Sequence, residues 1–183
     1  MKEVIKELAR LKEIFNFLNC LETGTIRSYY ERHESTRHIS EVIEGNGKLK
    51  SIDIEPESIK ISKNICKNAE NVEWILSPSV DYLKTDKDEY EFVLLDSVND
   101  KDYIFEEFTH IAKRVKIGGS IMVDDAGVDT EKKVDQTAAV KGIKVNKFLL
   151  ENDIPYSVVR GGHGTQLLIP ITEETKQKLG KLL

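Results

Sequence analysis

The segment YEFVLLD, residues 90–96, constrains this chain more than any other: it is a short, nearly continuous apolar run that stops at an acid. A strand with one wet face alternates apolar and polar residues, whereas a run of this kind needs cover on both faces, as in the middle of a parallel sheet. Neighbouring segments read as further strands. Lys48 to Ile54 (KLKSIDI), after the turn Gly45-Asn46-Gly47, Val72 to Leu76 (VEWIL), and Ser120 to Val123 (SIMV), after Gly118-Gly119, read as strands. A first apolar segment, Phe17 to Leu21, runs into Glu22-Thr23-Gly24-Thr25. Helical spacing lies between and around them. From Met1 to Leu18, apolar residues recur at Val4, Ile5, Leu8, Leu11, Ile14, Phe15 and Leu18. Glu55-Pro56-Glu57 opens a helix to about Ala69, with proline and acids at its positive end. Val80 to Lys84 reads as a short helix, Tyr103 to Val115 as another, and roughly Glu131 to Leu150 as a long one. Tyr156 to Arg160 and Thr165 to Ile169 are strands joined by the hairpin signal Gly161-Gly162-His163-Gly164, and a last helix follows Thr172.

Strands alternating with helices require right-handed crossovers and a parallel sheet. The expected fold is therefore α/β: a Rossmann-like, doubly wound, mostly parallel seven-stranded sheet with a terminal antiparallel hairpin. The 183 residues fit a single domain, 1–183, with no repeat or linker. No apolar stretch is long enough to span a bilayer, and the N-terminus carries acids throughout, unlike a secretory signal. Cys20 and Cys66 suggest neither a disulfide framework nor a zinc site, so a reducing, cytoplasmic setting is expected. A net charge of −5, with Lys and Arg scattered among acids, argues against a nucleic-acid surface. The expected partner is a small molecule, with a homodimer contact through the N-terminal helix left open.

In an open parallel sheet, ligands bind beyond the carboxyl ends of the strands, where the strand order reverses. The residues at those ends are acidic: Glu22, Asp53, Asp96, Asp124 and Asp125, with Ser77-Pro78-Ser79 after the third strand. So many converging carboxylates repel one another unless a cation sits among them, either a sulfonium cofactor, a metal ion or both.

With these features the chain resembles the class I S-adenosylmethionine-dependent methyltransferases, in particular the metal-dependent catechol-type and sugar-type O-methyltransferases, from about Leu18 to Ile169. The resemblance implies an enzyme that moves the methyl of S-adenosylmethionine to a hydroxyl of a small-molecule acceptor. Glu22, Thr23, Gly24 and Thr25 match the family's first motif, where glycine lets the backbone approach the methionine part of the cofactor. Ser35 and Thr36 match the Ser/Thr that opens the next helix and meets a carboxylate. An Arg-, Tyr- and His-rich insert containing Tyr29 and Tyr30 separates the two and would shape a lid or acceptor pocket. Asp53 falls where the family places an acid on the ribose, and Ile54 would pack on adenine; a helix N-terminal acid would look the same. Pro78 and Ser79 match the edge of the adenine site, though Ser79 is also a good helix cap.

Asp96, Asp124 and Asp125 match the magnesium ligands of the metal-dependent members, hard oxygens suited to that ion; the other reading is that Asp96 contacts the cofactor and the pair are loop acids. A bound metal would lower the pKa of a substrate hydroxyl. The catechol-type enzymes carry a Lys just after the fourth-strand acid, and Asn99 stands there instead. Asp96 and His163 are the expected catalytic groups, His163 as a base near neutral pH; His33 and His38 are rivals, and His110 and Trp74 read as structural. Two other readings remain: a nicotinamide oxidoreductase, disfavoured by the missing G-x-G-x-x-G turn, and a binding module that has lost the reaction.

Overall fold

Strand β1 (Leu18–Thr23) lies inside the sheet, where the strand order reverses. Strands β2 (Gly47–Asp53) and β3 (Val72–Leu76) build outward on one flank, and β4 (Tyr90–Leu95) and β5 (Val115–Val123) on the other. The chain then closes with β6 (Ser157–Arg160) at the far edge and β7 (Thr165–Pro170) between β6 and β5. The order is β3-β2-β1-β4-β5-β7-β6, with β7 antiparallel to both neighbours and every other pairing parallel. The computed structural model describes residues 2–28, 34–135, 139–160 and 164–183.

Burial on both faces explains the apolar run of β4. Phe92 and Leu94 point into a cluster with Val4, Leu8 and Leu11 of helix α1 (Lys2–Ile14) and Ile39 of helix α2 (Ser35–Val42). Val93 and Leu95 point the other way, toward Leu83 of helix α4 (Ser79–Thr85), Ile104 and Phe108 of helix α5 (Lys101–Ile111), and Val145 and Leu149 of helix α6 (Ile143–Glu151). Each large apolar side chain fully buried there contributes about 1.5–3 kcal/mol. Helix α3 (Pro56–Ile65) lies along β2 and β3, and helix α7 (Glu173–Leu182) closes the chain with Leu179 in the core. The apolar stripe of α1, a candidate dimer contact from sequence, packs on the protein's own sheet. Among the described residues no helix is long and apolar enough to cross a membrane, and Cys20 and Cys66 are free and buried.

The structure corrects several boundaries: α3 ends at Ile65 rather than near Ala69, α5 at Ile111 rather than Val115, and β5 starts at Val115 rather than Ser120. The first helix ends at Ile14, leaving Phe17 half exposed before β1. The long helix expected from Glu131 begins only at Ile143. Upstream of it, the Asp129 carboxylate accepts the N–H groups of Glu131 (2.8 Å) and Lys133 (3.0 Å), and Val128 bridges to Val134. These side-chain bonds offer the backbone a turn in place of a helix. Gly142 then takes the cap position, so Lys141 sits in a loop rather than on a helix.

Candidate active site

Backbone hydrogen bonds tie the carboxyl ends of the strands into one rim. Ser77 N–H donates to Asp53 O (3.0 Å), Gly24 N–H to Ile52 O (2.8 Å), Asp96 N–H to Thr23 O (3.0 Å) and Asp124 N–H to Leu95 O (3.1 Å). The acids predicted from sequence thus stand on one side of the molecule, at the point between β1 and β4 where the order reverses. Beside it opens a cavity of about 360 Å³ lined by Gly24, Asp53, Ile54, Pro78, Ser79 and Val98, among others.

Gly24 is demanded twice. Its φ is +82°, in the left-handed region, and a Cβ would fall on the Asp96 carbonyl oxygen and 3.0 Å from the carbonyl carbon. Asp53, at the end of β2, is buried. It accepts the Thr25 N–H at 3.0 Å through Oδ2 and the Glu55 N–H at 2.9 Å through Oδ1. These bonds fix the carboxylate while leaving each oxygen a further lone pair. Ile54 and Val98 border the same cavity with apolar side chains that remain exposed, 59% and 40%. Such exposure at a cavity wall suits a flat apolar ring.

The other predicted residues lie beneath the cavity. Glu22 is fully buried and accepts hydrogen bonds from Thr36 Oγ1 and from Ser51 Oγ, the latter at 2.6 Å. Thr25 Oγ1 lies 3.0 Å from Thr36 Oγ1 and donates to Ser62 Oγ at 2.7 Å. Burial pushes the Glu22 carboxyl up to about 7, against the pull of the Ser51 and Thr36 hydroxyls. Ser35 is buried at the start of α2. On the opposite face Thr23 Oγ1 donates to Glu107 at 3.0 Å, and the Ser79 hydroxyl donates to the same carboxyl. Burial raises Glu107 to about 7 as well. Sequence reading missed Glu107, although an acid within the apolar row Ile104, Phe108, Ile111 of α5 was its signal.

Asp96, Asp124 and Asp125 each present an oxygen within 4.8 Å of the others. Burial first, then Asp124, raises Asp96 to about 6. Lys141, which sequence reading missed within its expected helix, reaches into this cluster. Its ammonium is paired with Asp96 and lies 3.5 Å from Asp125, with the side chain 7% exposed. Burial lowers Lys141, but Asp96 and Asp125 outweigh it and leave the group above its ordinary value. Gln166 Nε2 donates to Asp124 Oδ1 at 2.7 Å. The three carboxylates are hard donors of the kind magnesium prefers. As arranged, however, a cation already pairs with two of them and an amide bonds to the third, so the side chains present do not fit the ion without Lys141 leaving.

Arg27, also missed, donates from Nη2 to Asp96 O (3.1 Å) and Ser97 O, pinning the backbone after β4. His38 lies on α2 near Glu41 and His110 on α5 near Glu106, and neither borders the cavity. His163, His33, Tyr29 and Tyr30 lie outside the described residues.

A doubly wound sheet with a lone antiparallel β7 and a cavity at its order reversal is a Rossmann-like methyltransferase fold. A family model described as O-methyltransferase matches residues 3–169, and this chain belongs to that family. The structure is similar to that of the O-methyltransferase TomG from Streptomyces achromogenes in complex with S-adenosylmethionine, at 21% identity and TM-score 0.68, over 93% of this chain and 78% of that one. It is also similar to the Bacillus cereus O-methyltransferase in complex with S-adenosylhomocysteine (18%, TM-score 0.65, 92% and 80%). The N-methyltransferase NodS from Bradyrhizobium japonicum shares the fold at 15% identity and TM-score 0.57, over 91% and 92%. A comparison with curated protein sequences finds no match.

Proposed function

We propose that the cavity beside Gly24 takes S-adenosylmethionine and that the acid rim receives a small-molecule hydroxyl for methylation. One observation carries this reading: a fixed carboxylate, Asp53, and two exposed apolar side chains, Ile54 and Val98, border one cavity that opens beside Asp96. The cofactor complexes of TomG and of the Bacillus cereus enzyme support it.

When bound, the cofactor supplies a methyl group on a positively charged sulfur, which an oxygen takes up in an in-line displacement as the S–C electron pair returns to sulfur. Asp53 accepts the ribose hydroxyls. Ile54 and Val98 would pack against the adenine, with Pro78 and Ser79 lining the same cavity. Gly24 brings the backbone of the β1 turn against the methionine portion. Glu22, Thr23, Thr25 and Thr36 act from below, holding that turn by the hydroxyl and carboxyl bonds described above, and Ser35 bonds to the same Glu22 carboxyl. Asp96 faces the sulfonium charge and accepts the proton that the acceptor hydroxyl gives up. Positioning and exclusion of water supply most of what such a transfer needs. Magnesium enters none of these steps, because Lys141 stands among the donors that would hold it.

Calorimetric titration with S-adenosylhomocysteine, S-adenosylmethionine and NAD tests the assignment. Binding of the first two, lost in Asp53→Ala, is the expected result. Binding of NAD alone overturns it.

A further inference from the structure

Lys141 is held at the acid rim by contacts from both loops that carry the acids. Gly127 has φ +67°, and any Cβ there would strike the Ala139 carbonyl, so the segment carrying Lys141 lies directly on the loop after β5. Asn99, in the loop after β4, accepts the Val140 N–H through Oδ1 at 3.1 Å, one residue before Lys141. The ammonium thus reaches Asp96 from a point 45 residues further along the chain, held by groups from both loops that carry the acids. A buried ammonium with no partner would be costly, and so would three clustered carboxylates with no cation; each removes the other's penalty.

We propose that Lys141 is the resident cation of this site, standing in the acid triad where a divalent ion would otherwise bind. The inference rests on the methyl-transfer reading for its meaning but not for its test. One ammonium only partly offsets the three carboxylates of the triad, so the site keeps a residual negative charge that attracts the positive charge of a sulfonium. An ammonium carries three donors, and the pairs with Asp96 and Asp125 leave one for the acceptor oxygen. During transfer the hydroxyl proton passes to Asp96 and the ammonium stays protonated, so Lys141 acts as a fixed charge that positions the acceptor.

The test uses the full chain and Mn²⁺ as probe, with bound ion read by electron paramagnetic resonance. The unaltered protein is expected to bind no Mn²⁺ at the triad at millimolar concentration. Lys141→Met is expected to bind one ion on the order of a hundredfold more tightly, as a like charge leaves a half-buried site. Asp96→Asn added to that variant should abolish the gain, and Lys141→Arg should restore the unaltered behaviour. A purely structural lysine would not create a metal site on removal. Binding of Mn²⁺ by the unaltered protein, lost in Asp96→Asn, overturns the proposal, as does a folded Lys141→Met that binds none. Should Lys141→Met fail to fold, the unaltered protein and its Asp96→Asn variant decide the question. S-adenosylhomocysteine titration of the same samples reports on the cofactor site separately, so failure of the methyl-transfer reading leaves this result intact.

Discussion

Glu22 and Glu107 make the stability of this protein depend on pH in an unusual direction. Burial lifts both carboxyls from 4.5 to about 7 in the folded protein. Between those values the folded chain holds protons that the unfolded chain has released, so the free energy of unfolding falls as pH rises. The stabilisation is fully present below the unfolded value and is lost as pH climbs through about 7. For one such group the loss between about pH 5.5 and about pH 8 is about 2 kcal/mol, a large share of a net stability of roughly 5–15 kcal/mol. Asp96, raised to about 6, adds to the loss with the same sign. Urea unfolding followed by circular dichroism across this range should give a midpoint that drops steadily toward alkaline pH. Glu22→Gln keeps an oxygen for the Thr36 and Ser51 hydroxyls and carries no charge, so its drop should be smaller by about 2 kcal/mol. Stability that is flat or rises between the two pH values, or a Glu22→Gln variant with an unchanged slope, would refute the buried-carboxyl account.

Three further outcomes are expected at the cofactor cavity. Gly24→Ala places a Cβ against the Asp96 carbonyl at a positive φ, so it should cost about 2 kcal/mol or more in unfolding and abolish S-adenosylhomocysteine binding by calorimetry. Asp53→Asn sets an amide NH₂ against the Thr25 or the Glu55 N–H, and should weaken S-adenosylhomocysteine binding at least about tenfold and lower the melting temperature. Ile54→Ala removes an exposed side chain and should leave melting unchanged, while weakening the same ligand by about 1–2 kcal/mol if that side chain covers its adenine.

The sheet was legible because its signal is redundant. The β4 run, the glycine turns and the proline-led α3 each point to the same alternation, and a strand-end acid needs only the end of its strand to be located. Asp53, Asp96 and Asp124 could therefore be placed on a common rim from sequence, and they are. The loop after β5 was not legible, because KVDQTAAVKGIKVNKFLL carries apolar residues at spacings that a helix could use throughout. What stops the helix is the Asp129 carboxylate bonding to nearby backbone N–H groups, a local competition that periodicity does not register. Gly142 was the available mark, since glycine before an apolar run signals a helix start and would have left Lys141 outside it. Glu107 was hidden differently: an acid in the apolar row of α5 marks a buried carboxyl, but its partners Thr23 and Ser79 are set only by the fold.

Glu22 and Glu107 also explain how a turn as short as Thr23-Gly24-Thr25 is held in register. Successive side chains of β1 point to opposite faces, so Glu22 reaches α2 and β2 on one side while Thr23 reaches α5 on the other. The turn is clamped from both faces by groups whose bonds cannot be exchanged with water, since all of them are buried. Apolar residues at Glu22 and Glu107 would remove the ionisation cost, yet they would take from the Ser51 and Thr23 hydroxyls the carboxyls they donate to, and leave the turn held from its Thr25 side. Methyl transfer tolerates little error in the line from oxygen through carbon to sulfur. A site that sacrifices stability above neutral pH to fix the turn beside its cavity, and pairs its acid rim with a lysine fixed by Asn99 and the Gly127 loop, is organised for position before charge.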